Sequence, residues 1–273
     1  MAGRGEGGRE DAGPPTTAGR TAARGGDEVW EELLPGVVRR RMPVWDATVG
    51  AVAGPAGVLV VDAGSGPAEG ALLREQLLDR FGTPATQVVL THPHFDHVLG
   101  AASFAGARVY GPAGMEACPA DTAEELRRDA VAEGMPPEAA AEAADALVLP
   151  GQAVTDELTL TVGPYEVVLV NLGPAHSSRD LAVLVRGRRE AAGQGCGQRR
   201  PGPEVVFCGD LVEESGEPQA GPDAVPALWP AAVDRLLSLG GEDALYVPGH
   251  GAVVDAAFVR AQRDVLARRF AQS

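Results

Sequence analysis

Thr91-His92-Pro93-His94-Phe95-Asp96-His97 places three imidazoles and a carboxylate in seven consecutive residues. All five histidines of the chain lie in this stretch, in Pro174-Ala175-His176-Ser177-Ser178 and in Pro248-Gly249-His250-Gly251. Neutral imidazole is the commonest metal ligand, and mixing it with carboxylates suits zinc or iron better than calcium or magnesium, which take all-oxygen cages. The pattern therefore reads as a metal site. His92 and His94 flank a proline in a non-helical loop, so both rings can face one ion. The run 98–104 reads as the start of a helix, where Asp96 and His97 turn towards a different point, and two ions are expected rather than one.

Each of these stretches follows an apolar run that reads as a strand. Residues 88–90 lead into His92, 167–170 into the turn before His176, 205–207 into Asp210 and 245–247 into His250; Asp62 follows 58–61 in the same way. A rigid sheet with its loops gathered at one edge is how sequence-distant groups reach one point. In all, ten candidate strands appear, at 37–38, 48–52, 58–61, 88–90, 108–110, 158–162, 167–172, 181–185, 205–207 and 244–247. Gly163-Pro164-Tyr165 joins two of them as a hairpin turn would. Between strands, 68–81 sets Leu72, Leu73, Leu77 and Phe81 at helical spacing, and 255–270 sets out an apolar stripe of Phe258, Val259, Val265, Leu266 and Phe270. Asp121 with Glu124 gives a capping signal, and Pro136 and Pro230 stand where helices begin. The strand and helix pattern of the first half loosely recurs in the second, which suits two sheets packed face to face.

A chain of 273 residues with 45% apolar content can bury a full core. The reading is a disordered tail over 1–27, rich in Gly, Arg, Glu and Pro without apolar periodicity, and one domain over 28–273, with 187–204 a flexible hairpin loop. Neither a signal-peptide core nor a membrane-spanning run is evident, and a soluble cytoplasmic protein is expected. The net charge of −15 repels a phosphate backbone, so nucleic acid is excluded as a partner. Lysine is absent and every basic residue is arginine, a base-composition bias without functional content. Three cysteines without C-x-x-C spacing fit reduced thiols, with Cys208 a small buried residue of its strand rather than a ligand. There is no G-x-S-x-G elbow, Gly64-Ser65-Gly66 reads as a strand-to-helix turn rather than a phosphate loop, and Trp45 and Trp229 line either a pocket or the core.

With H-x-H-x-D-H at 92–97, A-H-S at 175–177, G-D at 209–210 and P-G-H-G at 248–251, the chain resembles the metallo-β-lactamase superfamily over residues 36–270. The resemblance implies an α/β fold, an αββα sandwich of two mixed β-sheets with helices on the outer faces. It implies that His92, His94 and His176 hold a first metal, that Asp96, His97 and His250 hold a second, and that Asp210 bridges both. Asp62-Ala63-Gly64 matches the family's D-x-G turn, which supports the ligands. Ser177 stands where threonine is usual and Ala175 where glycine is, departures that keep a hydroxyl and a small residue.

Zinc lowers the pKa of bound water to about 7, and two ions about 3.5–4 Å apart can share the resulting nucleophile. The resemblance therefore implies a dinuclear hydrolase with two Zn2+, Fe or Mn being further options. Its substrate is expected to be a small ester, thioester or lactone attacked by the activated water, with Asp96 and Asp210 as catalytic carboxylates. A carboxylate at 210, where one class of β-lactamases uses cysteine, leans away from that class. The alternatives are a mononuclear iron sulfur dioxygenase, a β-lactam hydrolase and a metal-bearing binding protein without turnover. Oligomeric state has no signature in the chain.

Overall fold

Alternating apolar residues build two mixed sheets in a computed structural model that describes residues 30–117, 119–188 and 202–271. The first sheet runs β1 (Glu31–Leu34), β2 (Val37–Arg41), β3 (Thr48–Gly54), β4 (Gly57–Val61), β5 (Ala85–Val89), β6 (Arg108–Pro112) and β7 (Gln152–Val154), in spatial order. It is antiparallel as far as β4 and parallel from β4 to β7. The second holds β8 (Glu157–Val162), β9 (Tyr165–Asn171), β10 (Leu181–Gly187), β11 (Val205–Phe207) and β12 (Leu245–Val247), with β11 and β12 parallel and the remaining pairs antiparallel.

Period-two patterning sends each strand's apolar residues to opposite faces. In β4, Leu59 and Val61 join Val167, Leu169, Val183 and Phe207 in the core between the sheets. Val58 and Val60 instead meet Leu73, Leu77 and Leu126 from the helices α1 (Pro67–Phe81) and α3 (Pro119–Ala132), with α4 (Pro137–Asp145) adding Ala140 and Ala143. Across the molecule, Val168, Val170 and Leu184 pack on Trp229, Val233 and Leu266 of α5 (Trp229–Gly240) and α6 (Ala256–Arg269). Three apolar cores thus separate four layers, helix, sheet, sheet and helix. Each fully buried Val or Leu contributes about 1.5–3 kcal/mol.

Every one of the ten expected strands is present, together with β1 and β7. The helix expected over 98–104 is different: α2 (Phe95–Val98) ends where it was to begin, and a single 3-10 turn follows at Ala101–Ser103. The cause is Gly100, whose N–H donates to Gly64 O at 2.9 Å and whose Cα lies so close to Ala63 that a Cβ would strike its carbonyl. That contact docks the chain against the β4–α1 turn. Gly64, at φ +83, is a left-handed residue of this turn along with Asp62 at φ +61, in keeping with the strand-to-helix reading of Gly64-Ser65-Gly66.

α3 starts two residues ahead of Asp121, Pro136 is the N-cap of α4, and Pro230 lies in the first turn of α5. Asp255 caps α6 by accepting from Phe258 N at 2.9 Å, while Val265, placed on the apolar stripe, is 45% exposed. The tail 1–27, most of the 187–204 loop, Cys118 and Cys196 lie outside the described residues. Among the described residues no helix is long and apolar enough to cross a membrane.

Candidate metal centre

Asp62 follows β4, His92 follows β5, His176 follows β9, Asp210 follows β11 and His250 follows β12, so all arrive at carboxyl ends of strands. Backbone bonds tie the two sheets together there. Leu181 N donates to Thr91 O at 2.8 Å, and Thr48 N donates to Gly249 O at 2.7 Å. The result brings all seven expected side chains into two adjoining groups, His92, His94, His176 and Asp210 in one, Asp96, His97 and His250 in the other. Within each group the candidate donor atoms lie within 4.8 Å of one another. Asp210 sits between them: its Oδ2 is 3.7 Å from His92 Nε2, 3.6 Å from His176 Nε2 and 3.2 Å from His250 Nε2, and its Oδ1 is 3.2 Å from His97 Nε2. Asp96 Oδ2 lies 3.5 Å from His250 Nε2 and 3.8 Å from His97 Nε2.

What surrounds the imidazoles decides which nitrogen faces inward. His250 Nδ1 meets the carbonyl of Trp45 at 2.8 Å; a carbonyl only accepts, so Nδ1 carries hydrogen and Nε2 turns to the centre. His97 Nδ1 donates to Asp62 Oδ2 at 2.9 Å by the same logic. Thr91 Oγ1 donates to Asp62 Oδ2 at 2.9 Å, so its hydrogen is spent and it accepts from His92 Nδ1, also at 2.9 Å. His94 is reversed: Nε2 donates to Asp223 Oδ1 at 3.3 Å and Nδ1 faces His176 Nε2 at 3.1 Å. Four rings from two loops, those after β5 and β12, are therefore held with a nitrogen lone pair available to one small volume. His92 Nε2, His97 Nε2 and Asp210 Oδ1 are buried there without a hydrogen-bond partner. Buried orphans cost about 1–3 kcal/mol each, which a bound cation would offset.

The electrostatics make the same demand. Burial opposes charge on Asp210, yet the neighbouring His250, His97 and His92 hold its carboxyl well below the usual range. Burial likewise opposes charge on His250, but Asp210 and Asp96 lift it to about 9, and Asp210, Asp96 and Asp62 lift His97 well above its ordinary value. At His92 and His176 burial, helped by the neighbouring imidazoles, outweighs the pull of Asp210 and drives His92 well down and His176 down to about 3. Two carboxylates set in a buried ring of imidazoles call for positive charge, and a divalent cation supplies it without a proton.

The sequence profile of the metallo-beta-lactamase superfamily matches residues 42–190. The chain belongs to the metallo-β-lactamase superfamily. Solved structures similar to it include the metallo-β-lactamase FIM-1 from Pseudomonas aeruginosa in its mono-zinc form, at TM-score 0.61 and 19% identity over 88% of this chain and 95% of that one. A metallo-β-lactamase from Hirschia baltica gives 0.58 and 14% over 87% and 97%, and TMB-1 gives 0.59 and 17% over 89% and 98%. No curated protein matches the chain. At these identities the structural likeness carries the metallo-β-lactamase fold, and the chemistry rests on the residues themselves.

Several residues around this superfamily centre escaped the sequence reading. Asp223, from the loop before α5, accepts from His94 and from Ser178 N at 3.3 Å. Asp180 accepts from Ala175 N, Ser177 N and Ser177 Oγ at 3.0, 3.0 and 2.9 Å and so shapes the His176 loop; burial pushes its carboxyl up to about 7 against those donors. Ser177 thus reaches the centre only through this loop. Burial and the charge of Asp210 push the buried Glu213 up to about 8. Of the two tryptophans, Trp229 is fully buried beneath His176, ring centroids 5.1 Å apart, with Nε1 donating to Leu211 O at 3.1 Å. Trp45 packs edge-on to Phe95 at 5.2 Å, and its own backbone carbonyl holds His250. Cys208 is buried with its Sγ donating to Val206 O at 3.3 Å, as a core residue would be.

Proposed function

We propose that the chain is a dinuclear metal-dependent hydrolase that cleaves a small ester, thioester or lactone, with zinc as its ion. The observation that carries this reading is the set of imidazoles locked by Thr91, Asp62, Trp45 O and Asp223 with their free nitrogens around Asp210. His92, His94 and His176 would hold one cation, Asp96, His97 and His250 a second, with Asp210 shared between them. Nitrogen-rich sites of this kind suit zinc.

A cation bound there supplies Lewis acidity, polarising a carbonyl and lowering the pKa of water to about 7. The chain's own groups do the rest. Asp210, buried among imidazoles, stays ionised and fixes their orientation. Asp96 Oδ2, at the border of the cluster, is the carboxylate placed to accept a proton from the attacking water. The imidazole of His94 forms part of the wall of a cavity of about 420 Å3, which suits a small-molecule substrate. The net charge of −15 argues against a nucleic acid in that place.

The test is a panel of aryl esters, thioesters, lactones and β-lactams given to the zinc-loaded chain. Turnover of an ester, thioester or lactone that a chelator abolishes and zinc restores is the expected result. One iron per chain with oxygen uptake, or silence across the panel, would overturn the reading.

A further inference from the structure

The cavity beside His94 holds a guanidinium that the fold does not use. Arg179 stands three residues after His176 on a fixed backbone: Ser177 Oγ donates to its carbonyl at 3.0 Å and its own N–H donates back to Ser177 Oγ at 3.1 Å. Its side chain lies over the turn at Gly114, φ +91, where a Cβ would come within 2.5 Å of Nε and 3.2 Å of Nη2. Glycine at 114 is what leaves room for the guanidinium in the cavity wall. Nη1 donates to Ser178 Oγ at 3.3 Å, and no carboxylate among the described residues lies within 4.0 Å of this guanidinium. Arg39, Arg41, Arg186 and Arg260 each hold a carboxylate, which is the ordinary state of an arginine in so acidic a chain. Asp223 shares the wall but is taken by His94 and Ser178 N. Arg128, exposed on α3, adds a second guanidinium at the rim, and Glu125 and Asp129 flank it.

An arginine held in place, partly desolvated and with no carboxylate in contact is a receptor for a planar anion, because its fork of N–H groups matches a carboxylate in bidentate fashion. We propose that Arg179 binds a carboxylate of the substrate, so that the compound cleaved at the metal centre is a small ester, thioester or lactone carrying a free carboxylate. This rests on the hydrolase reading for the reaction, but the anion site itself stands on the cavity and can be tested apart from turnover.

Two measurements decide it, both on the full chain loaded with zinc. In the first, kcat/KM is compared for a matched pair of probes, 4-nitrophenyl hemisuccinate and 4-nitrophenyl butyrate, in wild type, Arg179→Gln and Arg179→Lys. The ratio of charged to neutral probe should fall at least tenfold in Arg179→Gln and by less in Arg179→Lys, which keeps the charge without the fork. An unchanged ratio would overturn the proposal. In the second, succinate is titrated calorimetrically into wild type and Arg179→Gln, whose matching circular dichroism shows an intact fold. A dissociation constant at least tenfold weaker in the variant is expected, and equal affinities, or no binding to wild type, would overturn the anion site. Silence towards both probes with Arg179-dependent succinate binding would sink the hydrolase reading alone.

Discussion

Asp62→Asn changes one atom at the junction of the two ligand groups. Asp62, 2% exposed, accepts three hydrogen bonds, from Thr91 N at 2.8 Å and from Thr91 Oγ1 and His97 Nδ1 at 2.9 Å. An asparagine can keep its oxygen on Thr91 N, but its amide then points hydrogens at Thr91 Oγ1 and His97 Nδ1. His97 must move its hydrogen to Nε2, into the site. Thr91 Oγ1, now an acceptor from the amide, turns its hydrogen to His92 Nδ1 and drives that ring to the same inward N–H. One substitution therefore blocks a ligand nitrogen in each group. Partners of this kind are worth about 10–100-fold in metal affinity, or about 1.4–2.8 kcal/mol at 1.4 kcal/mol per tenfold. Competition with a chromophoric chelator should show both binding steps weakened by that factor, with the circular dichroism of the metal-free protein unchanged. Wild-type affinity at both steps would refute the tautomer argument.

Four further outcomes follow from the same geometry. Gly249→Ala places a Cβ on Asp210 Oδ1, so the variant should lose metal although every candidate ligand remains, as elemental analysis would show. Asp223→Ala frees His94 Nε2, and because Asp223 is partly exposed the loss of affinity should be about tenfold, read by the same chelator competition. Trp229→Ala empties a fully buried site and should cost about 3–5 kcal/mol in denaturant unfolding. Chelation of a protein holding cation at a thousand times its Kd should remove about 4 kcal/mol and lower the melting temperature by about 8–16 °C in a scanning experiment.

Much of this architecture was legible because its signals are local. Five strands delivering Asp62, His92, His176, Asp210 and His250 are apolar runs, and the residues they deliver are rare types in close spacing. β1 and β7 were missed for opposite reasons. β1 is an edge strand reading Glu-Glu-Leu-Leu with its acids exposed, and β7 is three residues long. The helix after His97 was misplaced because Gly100 stops it through a contact with the β4–α1 turn, which no window of sequence contains. Asp180 had a readable signal, an acid three residues after a serine in a turn. Asp223 had none: it lies in a Pro- and Gly-rich loop and gains its role only because the fold sets that loop beside His94.

Zinc counted per chain, by plasma mass spectrometry after equilibrium dialysis of the full-length protein and of Asp210→Ala, reaches the centre of the account. Two equivalents in the wild type, and at least one fewer in the variant, are the values expected of a pair of cations sharing that carboxylate. A wild type that retains no zinc, or an Asp210→Ala protein that keeps both equivalents, would contradict it.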